Sequence, residues 1–153
     1  MADGQDLIQL YSRRILALAA DLPHAERLDA PDGSATKRSP LCGSTVTVDV
    51  TLDGDRIAGF GQDVKACALG QASASVLGGA VIGRTRDEIA GARDALKAML
   101  KQGGEPPAVP FDGLEALRPA AEYKNRHASI LLAWDATLGA IDAAAASAHA
   151  RTS

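Results

Sequence analysis

The stretch Phe60–Gly83, FGQDVKACALGQASASVLGGAVIG, decides how the rest of this chain is read. It opens as an extended segment and turns, at Cys67, into a predicted helix whose residues from Ala66 to Ala80 are mostly Ala, Ser and Gly, with Leu69, Val76 and Leu77 the bulky exceptions. A helix stripped of large side chains lets other backbone come close. The spacing therefore predicts a helix pressed behind a site, with Cys67 at its start.

Just upstream lies the clearest strand. Between Ser44 and Leu52 the apolar residues Val46, Val48, Val50 and Leu52 alternate with Thr45, Thr47, Asp49 and Thr51, the period of two that buries one face of a sheet. Asp53-Gly54-Asp55 is a hairpin signal, and Arg56 to Phe60 resumes extended structure. The hairpin has a geometric consequence for the two cysteines. Cys42 lies twelve residues before Gly54 and Cys67 thirteen after it, so both fall near the same open end. Antiparallel partners are about 4.5 to 5.5 Å apart at Cα, close enough for two side chains to reach one ion. The alternative is that both are small buried hydrophobes, as free cysteines often are. The Pro/Gly setting of Cys42, Ser39-Pro-Leu-Cys-Gly43, favours the shared site.

Working outward, Leu7, Leu10, Tyr11, Ile15 and Leu18 predict an amphipathic helix over Asp6 to Ala20, closed by Pro23. Leu22 to Pro40 has no periodicity and reads as a long loop. After the small-residue helix, Thr85-Arg-Asp-Glu88 is a capping box that opens a helix with the stripe Ile89, Ala92, Leu96, Met99, Leu100, ended by Gly103-Gly104. Pro106, Pro107 and Pro110 form a stiff link, and Asp112 caps a short turn through Leu117 that Pro119 stops. A last helix runs from Tyr123 through Ile130, Leu131, Trp134, Leu138 and Ile141, and its first turn holds Lys124, Arg126, His127 and Ser129. The order predicts an α+β domain spanning residues 1–153, with a small hairpin-based antiparallel sheet packed against several helices.

Composition narrows the function classes. At 153 residues, 46% apolar and 23% charged, the chain has enough length for a core, and with 3% aromatics that core is mainly aliphatic. A net charge of −3 argues against nucleic acid as the main partner, and the clusters Lys37/Arg38 and Arg84/Arg86 read as solvated surface. No apolar run approaches the roughly 20 residues of a membrane span, and Asp3 and Asp6 before a short apolar run do not make a secretory signal. The cytoplasm is the expected home, and there two cysteines suit metal or sulfur chemistry better than a structural disulfide. No P-loop, nucleophile elbow, dinucleotide fingerprint or zinc-protease pair points to an enzyme.

With these residues laid out, the chain resembles the U-type iron–sulfur cluster scaffold family, which includes IscU, SufU and the N-terminal part of NifU. The resemblance covers Leu7 to about Ala145. It rests on Pro40-Leu-Cys42-Gly43 before a strand, Phe60 followed by Cys67, Gln71-Ala-Ser-Ala-Ser75, Ile82-Gly-Arg-Thr85, and Arg126 with Leu132-Ala-Trp134. It implies a SufE/IscU-like α+β fold and a scaffold on which a [2Fe–2S] cluster is built and passed on or, in the SufU branch, a zinc-bearing sulfur acceptor for a cysteine desulfurase. Cys42 and Cys67 match two family ligands. Ser44 stands where the family has Asp, Ser129 where it has a third cysteine, and Val64-Lys-Ala66 where it has a Gly-containing turn.

Serine is a poor ligand for iron or zinc, which prefer thiolate, imidazole or carboxylate. His127, two residues before Ser129, is a candidate substitute; Asp63 and His24 are weaker ones. The expected site is thus Cys42, Cys67 and Ser129 around a cluster, or Cys42, Cys67 and His127 around iron or zinc, with further ligands from a second subunit if the protein is a homodimer. Three readings follow. The first is a labile scaffold or carrier whose partners are a cysteine desulfurase and apo iron–sulfur acceptors. The second is a sulfur acceptor for a cysteine desulfurase, and the third an interaction module that has lost the chemistry.

Overall fold

The structure, a computed structural model, describes residues 11–40 and 43–152, and the side chains of all of these up to residue 147. Its element order is α1 (Arg13–Ala20), β1 (Gly33–Arg38), β2 (Thr45–Asp53), β3 (Arg56–Lys65), α2 (Ala68–Ala80), α3 (Arg86–Gln102), two 3-10 segments (Asp112–Glu122 and Lys124–Arg126) and α4 (His127–Thr152). The α+β class expected from the sequence is the one found.

The strands form one antiparallel sheet in the order β1-β2-β3. Val46, Val48 and Val50 turn their side chains to one face and are at most 1% exposed. That face is covered by α4, which also packs against α2 and α3. Because α4 has neighbours on several sides, it is apolar nearly all round, as a central helix must be. Its Trp134 stands edge-on to Phe111, ring centroids 5.0 Å apart. The segment Lys124–Ser147 is long and apolar enough to cross a membrane, contrary to the expectation that no run reaches that length. Ala supplies much of its apolar character, and most of its surface is covered by the rest of the fold.

Two further expectations are corrected, and the extent of β3 is defined. The first helix does not run unbroken from Asp6. Ser12 is extended (φ −60°, ψ 164°) and caps α1 by accepting from the Ile15 amide, and residues 1–10 lie outside the described ones. The supposed loop Leu22–Pro40 contains β1. This strand shows no bulky apolar residue because the main chain of α4 lies directly on it: a Cβ at Gly33 would sit 2.3 Å from the Ala140 carbonyl oxygen. The strand resumed at Arg56 runs through Phe60 to Lys65, in keeping with the extended opening of Phe60–Gly83, although Gly61 hides the alternation. A Cβ there would meet the Glu26 carbonyl at 2.3 Å, since residues 24–28 cross the outer face of the sheet.

That crossing segment is held by Asp49, whose side chain is wholly buried. Asp49 accepts from Arg27 through both carboxylate oxygens, from the Leu28 amide at 3.0 Å and from the Ser34 hydroxyl. Burial, the largest single influence, pushes its carboxyl pKa up, but the hydrogen bonds from Arg27, Ser34 and Leu28 together hold it below the ordinary value. Downstream, the capping box forms as predicted, with Thr85 Oγ1 accepting from the Glu88 amide at 3.2 Å and Glu88 accepting from the Thr85 amide at 3.3 Å. Gly103 ends α3 in the left-handed region at φ 69°. Pro119 sits inside the first 3-10 segment rather than ending it.

Candidate functional site

Cys67 is the N-cap of α2, with extended backbone (φ −66°, ψ 171°) and no side-chain capping bond, so its sulfur is not spent on the helix end. The thiol is free and partly buried. The register places it where the sheet ends: Thr45 of β2 pairs with Lys65 of β3, two residues before Cys67. At the same end the connection from β1 to β2 is pinned by Ser39 N–H donating to the Ser44 carbonyl at 2.8 Å and Gly43 N–H donating to the Ser39 carbonyl at 2.9 Å. Cys42, between Pro40 and Gly43 in this connection, lies outside the described residues.

Three segments distant in sequence converge on one polar cluster. Cys67 Sγ is 3.7 Å from Ser129 Oγ on the first turn of α4, and Ser129 shares a hydrogen bond of 3.0 Å with Ser44 Oγ. Both serines are nearly inaccessible, at 4% and 1% exposure, while Cys67 retains access. The small-residue helix makes this possible. A Cβ on Gly70 would stand 2.7 Å from Ser129 Oγ and 2.8 Å from the Ala66 Cβ, so only glycine admits α4 at this depth. One turn on, Ser73 donates to the Ile130 carbonyl at 2.7 Å and accepts from the Trp134 indole N–H at 3.0 Å, fastening α2 to α4 below the cluster. Gly70 was signalled in the sequence only by the run of small residues around it, and Ser73 by that run and by the motif Gln71–Ser75.

His127 does not join Cys67 and Ser129. Residues two apart on a helix point in nearly opposite directions, and the backbone at His127 is helical (φ −60°, ψ −42°), so no distortion turns the ring. Its Nε2 lies 2.9 Å from the Ala120 carbonyl oxygen, and the side chain is 2% exposed. Asp63 lies on β3 opposite Thr47 with its side chain exposed on the outer face, where its charge acts on Arg27. His24 packs edge-on against Phe60 in mid-strand, with ring centroids 6.0 Å apart. Among the described residues no three His, Cys, Asp or Glu side chains come together as a metal site.

Among the described residues the donor set therefore has one soft atom, Cys67 Sγ, beside two hydroxyls that bond to each other. Two sulfurs about 2.3 Å from a shared tetrahedral ion are about 3.8 Å from one another, and Cys67 Sγ to Ser129 Oγ is 3.7 Å. In this structure the 3.7 Å contact is a hydrogen bond between a thiol and a hydroxyl, and Ser129 presents oxygen where a thiolate ligand would present sulfur.

No family model matches the chain. It is 31% identical over 127 residues to the iron–sulfur cluster assembly scaffold protein IscU of Streptococcus pyogenes serotype M1, a match covering 82% of this chain and 79% of that protein. Among solved structures, the N-terminal NifU-like protein of Brucella abortus, described as nitrogen-fixing, superposes with a TM-score of 0.89 at 42% identity, covering 92% of this chain and 98% of that one. A putative iron–sulfur cluster assembly scaffold for the SUF system from Fervidobacterium islandicum AW-1 superposes with a TM-score of 0.76 over 88% of this chain and 98% of that one. At 23% identity it speaks for the fold alone. The chain belongs to the IscU/NifU-like family of iron–sulfur cluster assembly scaffold proteins.

Proposed function

We propose that this protein is an iron–sulfur cluster assembly scaffold or carrier, not an enzyme, whose cargo is an iron–sulfur cluster of the [2Fe–2S] type or its iron precursor, with zinc as a competing occupant. The observation that carries the reading is the convergence of Cys67, Ser129 and Ser44 from three segments at the sheet end, in a chain of this family. Cys67 and Cys42 supply the thiolates that iron requires, and Ser129 stands at a ligand vertex with a weak donor. Such a set holds its cargo loosely, which suits transfer to an apo iron–sulfur acceptor. A cysteine desulfurase in the cytoplasm is the source of sulfur.

The test is anaerobic reconstitution of the full chain with iron and sulfide, read by visible absorbance and iron content. Wild type is expected to take up a coloured cluster that a chelator strips quickly, and Cys67→Ala and Cys42→Ala to take up none. Uptake by Cys67→Ala equal to wild type would overturn the assignment.

A second reading is favoured by the hydroxyl pair, which sets weak donors beside the partly accessible Cys67 thiol. In it Cys67 is a sulfur acceptor: its thiolate attacks the outer sulfur of a desulfurase persulfide, a new S–S bond forms at Cys67, and the desulfurase cysteine leaves as thiolate. A wild type that gains one sulfur by mass on incubation with desulfurase and cysteine, and takes up no cluster, decides for this reading.

A further inference from the structure

Beside the sheet end lies a cleft of about 410 Å³ whose walls are cationic. Lys37 and Arg38 come from the end of β1, Arg93, Lys97 and Lys101 from α3, and Lys124 from the second 3-10 segment. Six of the sixteen Lys and Arg side chains of a chain with net charge −3 thus face one cavity. Their gathering around one cavity is what separates them from the other cations without an ion pair among the described residues, Arg13, Arg14, Lys65, Arg118 and Arg126. Arg84 and Arg86, another basic cluster in the sequence, are neutralised by Glu88 and Asp142. In the cleft only Arg93 has an ion-pair partner among the described residues, in Asp94 and Asp135. Lys37, Arg38, Lys97, Lys101 and Lys124 are exposed and carry their charge unopposed. Like charges gathered around a concave, low-dielectric wall focus a positive potential, and a polyanion relieves it.

We infer that this cleft is the docking surface for a carboxylate-rich segment of a partner protein. Arg93, Lys97 and Lys101 recur every four residues on α3, a rise of about 6 Å per step. Carboxylates at every fourth position of a facing helix repeat at the same interval, and those on one face of an extended strand at nearly the same. The cations are mostly lysines on flexible stems around a rim, the pattern of charge steering between proteins rather than of a small-anion pocket built from buried donors. Single-stranded nucleic acid has a similar phosphate interval, but it also uses aromatic platforms for its bases. Among the described residues no aromatic ring other than His127 lines this cleft. Ser39 and Pro40, in the connection that leads to Cys42, form part of the cleft wall, so a partner seated there lies next to the thiol end of the sheet. The inference concerns docking alone and holds whatever the cargo.

The test uses the full chain and a fluorescein-labelled glutamate octamer, with binding read by anisotropy at low and at physiological salt. Wild type is expected to bind, more weakly as salt rises. Lys97→Glu/Lys101→Glu should lose affinity by at least roughly tenfold, and Lys97→Gln/Lys101→Gln by a smaller factor. The control Arg13→Ala/Arg118→Ala removes two positive charges from exposed positions outside the cleft and should change affinity less than about threefold. A control pair that weakens binding as much as the cleft pair, or no binding by wild type, would overturn the proposal. So would an octathymidylate oligonucleotide that binds more tightly than the glutamate octamer with the same dependence on Lys97 and Lys101.

Discussion

Ser129→Cys tests whether the cluster of Cys67, Ser44 and Ser129 is a ligand site in geometry. The variant puts sulfur where Oγ stands, 3.7 Å from Cys67 Sγ, within a tenth or so of an ångström of the about 3.8 Å separation that a tetrahedral thiolate site requires. Zinc in four-ligand peptide sites is held by about 10–16 kcal/mol, so one added thiolate contributes on the order of 2.5–4 kcal/mol, or a roughly 100- to 1,000-fold lower dissociation constant. Against this, the substitution removes the Ser44–Ser129 hydrogen bond, at about 1 kcal/mol of fold stability. Ser129 Oγ already packs against Gly70, where a Cβ would stand 2.7 Å from it, so the larger sulfur needs a small local shift. Zinc affinity of wild type and variant would be measured anaerobically by competition with a chromogenic chelator, alongside urea unfolding of both apo proteins. A gain of about two orders of magnitude, abolished by adding Cys67→Ala, is expected. If the variant folds with stability within about 1 kcal/mol of wild type and binds zinc no better, the vertex at Ser129 does not face a metal and the site reading fails.

Gly70→Ala should destabilise the protein by about 1–3 kcal/mol despite alanine's higher helix propensity, because its Cβ collides with Ala66 and Ser129 at under 3 Å; thermal unfolding checks this. Ser73→Ala should cost about 1–3 kcal/mol by leaving the buried Trp134 indole N–H without its acceptor, and the emission of this lone tryptophan should shift as the ring moves. Asp49→Asn should be destabilising at pH 7 and converge with wild type in acid. The folded carboxyl titrates below its unfolded value of about 3.9, so its contribution is complete above that pH and disappears as pH falls through the folded value. Urea unfolding of both proteins from pH 7 to pH 3 measures it, and a constant difference across that range would refute the assignment.

How much could be read in advance follows from the range over which each feature is encoded. The alternation Val46, Val48, Val50 needs only its own strand, the capping box needs only Thr85 and Glu88, and the left-handed stop at Gly103 needs only the absence of a side chain. Each is written within a few residues, and each forms where the sequence places it. The small-residue run from Ala66 to Ala80 likewise announced a close contact, though not its partner. What occupies the other side depends on how α4 lies, and that was legible only after the fold: Gly33, Gly61 and Gly70 are glycines because a second backbone or a serine sits where their Cβ would be. The same distance in sequence hid β1, which has no bulky side chains to show because α4 lies against its backbone. It also hid the choice at the start of α4, where helical phase turns Ser129 to Cys67 and His127 toward Ala120. The cationic cleft is the extreme case. Lys37 and Arg38 read as solvated surface and Lys124 as part of a polar first turn, and only the packing of β1, α3 and the 3-10 segment around one cavity makes them, with Lys97, a common field.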